Sequence, residues 1–258
     1  MAIDAAQIEG LIAARRIRRA SLVVEWLPRR ALETAEARVL HRVRALMERD
    51  YGPATTTEDA GAATWRRMED GRPELSLLEP GKLQVAREFT GGYGVDPDLA
   101  VRWVLNQWTP YLSAFEAAAL PIRHFALIAE VEASVEKLGI SEYEFVARYV
   151  PVPSLGAAIE DAEFRVAIGL EKFFVNLGLS TFAEMKFTGE FDPATNKAFV
   201  DRAIVSDRGV RIRADVNTKR SVVRGLDPPL PAIADLERAG ALLRETLDEK
   251  IPALLRHS

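Results

Sequence analysis

Residues 63–89 read ATWRRMEDGRPELSLLEPGKLQVAREF. Three extended segments, 63–68, 74–78 and 82–89, are separated by Asp70-Gly71 and by Pro80-Gly81. Glycine supplies the positive φ of a tight reversal, so both dipeptides are hairpin signals. The stretch predicts a three-stranded antiparallel meander.

Working outward, residues 21–27 (SLVVEWL) form a β-branched and aromatic run closed by Pro28, which predicts a strand. A helix follows over 32–47, where Leu32, Ala35, Val39, Val43, Leu46 and Met47 keep a three-and-four spacing. On the other side, TGGYGVDP ends the meander, and Asp96-Pro97 opens a second helix as N-cap and first-turn proline. That helix carries Val101, Val104, Leu105, Trp108, Leu112 and Phe115 on one side, with a kink expected at Pro110.

After Pro121 the order begins again. HFALIAEVEAS (124–134) alternates Phe125, Leu127, Ala129 and Val131 onto one face of a long strand, and a short helix is expected over 141–149. Extended segments follow at 165–170, 173–179, 184–191, 198–206 and 210–217, with Ser206-Asp207-Arg208-Gly209 read as a hairpin turn joining the last two. Pro231 then starts a helix with Ile233, Leu236, Gly240, Leu243, Leu247 and Ile251 in one stripe. The expected fold is α+β: an antiparallel sheet covered by long amphipathic helices. Two related β-α-β-β-β-α halves, 1–120 and 121–258, would pack as one continuous domain or two. LEPGKLQVAREF and SDRGVRIRADVN, each read as a turn leading into an alternating strand, are the local support for duplication.

The order of elements resembles a sporadically distributed family of uncharacterised bacterial proteins of about this length. The resemblance rests on SLVVEWL, EKLGISEYEFVARYVPVPSLG, and VRIRADVNTK running into the C-terminal helix. It implies a fold and no mechanism, because that family has no assigned activity.

Composition narrows the chemistry. A chain of 258 residues, 48% hydrophobic and 28% charged, can bury a substantial core without disulfide or metal. The absence of cysteine excludes thiolate metal sites, a Cys nucleophile and protein-held iron–sulfur clusters. The N-terminal MAIDAAQIEGLIAARRIRRA reads as an amphipathic helix rather than a targeting segment, and no window approaches 18 apolar residues. The expectation is a cytoplasmic protein with no membrane partner, no metal and no cofactor. A net charge of −4 does not favour nucleic acid.

Three histidines are available, His41, His124 and His257, none within a motif. His124 could meet Glu130 or Glu132 across a strand, and with Asp215 these form the acid–base candidates for an enzyme working in a pocket between the halves. Simple solvent exposure of Glu130 and Glu132 is the plainer reading. TGGYGVDP lacks the features of a phosphate loop, and no serine has a nucleophile-elbow signature. The basic candidates are Arg15, Arg16, Arg18 and Arg19 near the start, then Arg211 and Arg213 on one strand face, with Lys219, Arg220 and Arg224 beyond. Arg211, Arg213, Lys219 and Arg220 together would suit a phosphate, a carboxylate ligand or an acidic protein surface. The plain alternative is a solvated face offset by nearby acids. The sequence therefore points to a non-catalytic binding or interaction protein of unknown oligomeric state. The enzyme and the arginine-based nucleic-acid or anion binder stand as alternatives.

Overall fold

Strands β1 (Arg16–Glu25) and β6 (His124–Ser134) lie antiparallel at the centre of the molecule, with Leu22 opposite Leu127 and Val24 opposite Phe125. Outward from this seam run β5 (Lys82–Glu88), β4 (Arg72–Glu79), β3 (Ala63–Glu69) and β2 (Thr56–Thr57) on one side. On the other run β9 (Lys197–Asn217), β8 (Phe173–Asp192) and β7 (Phe164–Leu170). The result is one nine-stranded sheet in which every pairing is antiparallel, continuous across residue 120. On each side of the seam the first strand neighbours the last strand of a meander. The computed structural model describes residues 4–27, 29–54, 56–57, 63–69, 72–89, 92–149, 163–170, 172–192, 197–218 and 232–256.

The helices are α1 (Ala5–Ala14), α2 (Glu33–Tyr51), α3 (Gly92–Val95), α4 (Pro97–Ala117), α5 (Glu142–Ala147), α6 (Ile233–Glu245) and α7 (Ile251–Arg256). Their apolar stripes share one core cluster with alternate strand residues: Val43, Met47, Trp108, Phe115, Leu243 and Leu247 join Leu22, Val24, Leu127, Val131, Ile212 and Val216. The strand residues of opposite parity, such as Ala86, Ala126 and Ile128, are buried outside that cluster. The described helices thus pack on one face of the sheet, and the α+β class expected from sequence is the one found.

Local signals explain the element ends. Asp96 accepts from the backbone N–H of Leu99 with Pro97 behind it, and Ser141 and Glu144 form a reciprocal capping box on α5. Gly81 turns β4 into β5 at φ 85°. Pro110 lies inside α4. Between α6 and α7 a π-turn, Thr246–Lys250, precedes Pro252, a proline having no N–H for the α-helical ladder. Leu236, Leu243, Leu247 and Ile251 are all buried, as the stripe predicted.

Two expectations are corrected. β1 begins at Arg16, ahead of the run 21–27, so Arg16, Arg18 and Arg19 belong to a strand, while Arg15 caps the end of the N-terminal helix. The quartet 206–209 is not a turn: β8 and β9 are single strands of 20 and 21 residues, and Ser206 is taken up as a bulge between the rows Glu184↔Asp207 and Met185↔Val205. Gly209 meets a different need from a turn glycine. A Cβ there would fall 2.3 Å from the carbonyl oxygen of Ala133, so β6 and β9 can approach only because the side chain is absent. LEPGKLQVAREF and SDRGVRIRADVN therefore do not match as turns.

Candidate functional site

The pleat that buries Leu22 and Ile212 sends Arg16, Arg19, Glu130, Glu132, Arg211, Arg213 and Asp215 to the opposite face. Register then sets acids against bases: Arg19 lies between Glu88 and Glu130, Glu130 faces Arg213, and Glu132 faces Arg211 on one side and Arg16 on the other.

Carboxylate–arginine contacts engage Glu132, Arg211 and Arg16 of this set, together with Arg18, Glu88, Glu184 and Asp207. Arg211 donates from Nη2 at 2.7 Å and from Nε at 3.2 Å to Glu132 Oε1, and its guanidinium lies over the Phe182 ring at 5.7 Å. Arg18 reaches Glu184 at 2.8 Å, Glu88 at 3.7 Å and Glu132 at 4.0 Å. Arg16 bonds Asp207 at 3.2 Å. Glu132 is only 2% exposed, so its expected solvent exposure is wrong: the flanking arginines cover it and compensate its charge.

Of the acid–base candidates, Glu130 and Asp215 share one groove, while His124 stands apart from both. His124 lies beside Glu25 at 3.8 Å, across the β1–β6 pair. Glu130 is six residues along the same strand, roughly 20 Å away at the rise of a strand. Asp215 accepts a hydrogen bond from Asn217 Nδ2 at 2.9 Å. Lys219, Arg220, Arg224 and His257 lie outside the described residues.

A groove of about 640 Å³ opens where β6, β9, β8 and β7 adjoin, lined by Glu130, Arg165, Asn176, Gly178, Ser180, Arg211, Arg213 and Asp215. Its floor is bare at Gly178. A Cβ there would lie 3.9 Å from Arg165 Cγ and 4.0 Å from Arg213 Cβ, ordinary contact distances, so nothing steric requires the glycine. Its effect is to leave a gap between two arginines. Arg213 is exposed and has no hydrogen bond or ion pair among the described residues. Arg165 bonds Glu163 at 2.7 Å, both side chains largely in solvent, where such a pair is weak and easily exchanged. Two planar guanidinium groups beside bare backbone suit a carboxylate. Glu130 and Asp215 on the same groove oppose a continuous polyanion.

A second polar cluster lies on the helical side, at a residue the sequence reading passed over. Arg87 is buried on β5, donates to the Tyr51 hydroxyl at 2.8 Å, and is held between the Tyr51 and Trp103 rings at 5.1 and 5.0 Å. Next to it the Tyr111 hydroxyl donates to Asp50 at 2.7 Å. Burial, with that bond to Asp50, pushes the Tyr111 phenol well above its ordinary value. For Asp50 burial acts upward, but the bonds from Arg49 and Tyr111 outweigh it and hold the carboxyl below its usual value. The signal was present in KLQVARE, where alternation puts Arg87 in step with Leu83 and Val85.

Among the described residues no group of three or more His, Cys, Asp or Glu side chains is arranged to hold a metal ion, and no helix is long and apolar enough to cross a membrane. No protein-family model, curated protein or solved structure matches the chain.

Proposed function

We propose that this is a cytoplasmic, non-catalytic binding protein that takes an acidic segment of a partner protein on the sheet face opposite the described helices. The observation that carries this reading is the exposed Arg213, without a partner among the described residues, beside Arg165 over the bare backbone of Gly178. The distance of His124 from Glu130 and Asp215, and the pairing of Glu132 with Arg211, favour binding over acid–base catalysis. The family resemblance of the sequence, to bacterial proteins without assigned activity, is compatible with such a role.

The partner's carboxylates would meet Arg213 and Arg165, while Glu130 and Asp215 accept from its amide or cationic groups. Arg211 is occupied by Glu132 and serves to shape the groove wall. Contact between exposed charges is screened by salt, so affinity falls as ionic strength rises. The test is retention of co-purifying proteins by the wild-type chain, Arg213→Glu and Gly178→Val. The first variant reverses the charge, and the second fills the gap without a forced clash. Both should stay folded and lose the same partner. Retention of an unchanged partner profile by both variants would remove the groove from the binding surface.

A further inference from the structure

Strand register places Arg165, Gly178, Arg213, Glu130 and Arg19 in one row across five strands, from β7 to β1. Neighbouring strands are about 4.8 Å apart, so Arg165 and Arg213 stand roughly 10 Å apart at their Cα atoms, with Gly178 midway. Glu130 follows one strand further on. Asp215 lies two residues along β9 from Arg213, roughly 7 Å away.

Charges of both signs stand open in the groove. Glu130 and Arg213 face each other across the β6–β9 pair, yet neither has a hydrogen bond or ion pair among the described residues. Asp215 accepts from Asn217 through Oδ1, which leaves Oδ2 without a partner among the described residues. Glu130 is half-buried, and a carboxylate in that setting gains more from a bound cation than one in open water. The groove thus offers two guanidinium groups over bare backbone to a carboxylate, and beside them two carboxylates to a cation.

Resting on the reading of this groove as the seat of an acidic segment, we infer that the segment enters by its free amino terminus. The side-chain carboxylate of a leading glutamate lies over Gly178 between Arg213 and Arg165, and its α-ammonium lies between Glu130 and Asp215. An ammonium so placed falls roughly 6–8 Å from a carboxylate over Gly178. An extended glutamate holds its nitrogen and carboxylate oxygens about 5–6 Å apart, and the reach of the Glu130 side chain takes up the difference. An internal lysine would bring the cation on a long flexible stem, at a larger entropy cost, and would make the segment less acidic.

The test compares triglutamate amide with its N-acetyl derivative, by NMR titration of the full chain at low salt and about pH 6.5. The acetylated peptide is the more negative by one charge, so arginines acting alone would hold it at least as tightly. The reverse order is expected, with the free amine binding at least about 5-fold tighter, the size of a well-made pair near the surface. The preference should fade as pH rises past about 8, where the peptide's ammonium loses its proton. Glu130→Gln combined with Asp215→Asn should abolish the preference with an unchanged circular-dichroism spectrum, whereas Arg213→Glu should weaken both peptides at least about 10-fold. The wild-type comparison decides the matter even if a variant does not fold. Equal or tighter binding of the acetylated peptide, lost in Arg213→Glu, would overturn the amino-terminal mode and leave the groove as a site for acidic segments. Binding of neither peptide would overturn both readings. A preference that survives the two acid substitutions, or persists above about pH 9, would place the ammonium elsewhere and overturn the inference.

Discussion

Arg211 and Arg213 are two residues apart on β9 and share a face, yet only Arg211 holds a buried carboxylate. Arg211→Ala leaves Glu132 with Arg18 alone at 4.0 Å, and should cost about 2–4 kcal/mol, somewhat below the usual loss for breaking a buried pair because the arginine end is partly in water. Arg213→Ala should stay within about 0.5 kcal/mol, as exposed positions do. Urea melts of the two single variants measure the difference directly, and equal losses would contradict the assignment of roles. On the helical side, Tyr111→Phe removes the donor to Asp50 and should cost roughly 1–3 kcal/mol at neutral pH. The same residue sets a pH dependence. Its folded pKa is raised, so its contribution is fully present below the unfolded phenol value of about 10 and is lost as pH rises beyond it. Stability above pH 10 should therefore fall less steeply in Tyr111→Phe than in the wild type; parallel curves would mean that Tyr111 does not carry that limb.

At the scale of elements, β9 and its glycines give the sharpest contrast. Gly209→Ala places a methyl against the Ala133 carbonyl and should cost about 2–3 kcal/mol by overpacking, whereas Gly178→Val has room and should be neutral or stabilising. Thermal melts of the two variants check this, and a harmless Gly209→Ala would show that β6 and β9 can move apart freely. Leu243→Ala, from the stripe that docks α6, should cost roughly 2–5 kcal/mol in urea melts, and a loss below about 0.5 kcal/mol would mean the helix is not held there. Much of this level was legible in the sequence. Asp96-Pro97, Pro80-Gly81 and the alternation of HFALIAEVEAS carry their own local cause, and each element stands where that cause puts it. Ser206-Asp207-Arg208-Gly209 misled because turn residues also occur at bulges and close approaches, and the deciding contact, Ala133, lies on another strand. The candidate site was legible to the same depth. Alternation placed Arg211 and Arg213 on one face, but that Arg211 meets a carboxylate depends on a register with Glu132, 79 residues away in sequence. Arg87 was readable from parity alone and was masked by its charge.

Across the whole molecule, one sheet has a face committed to the helical core and a face written in charges. On that second face Arg18 and Arg211 already hold carboxylates, and the groove at Arg213 and Arg165 is where the proposed acidic partner would bind. The most direct measurement is an NMR titration that follows the arginine side-chain Nε–Hε resonances as a hexaglutamate peptide is added at low salt. Arg213 and Arg165 should shift progressively while Arg18 and Arg211, already bound to carboxylates, stay in place, and added salt should reverse the shifts. Shifts centred instead on the exposed arginines of α2, such as Arg38 and Arg42, or no shift at millimolar peptide, would contradict it.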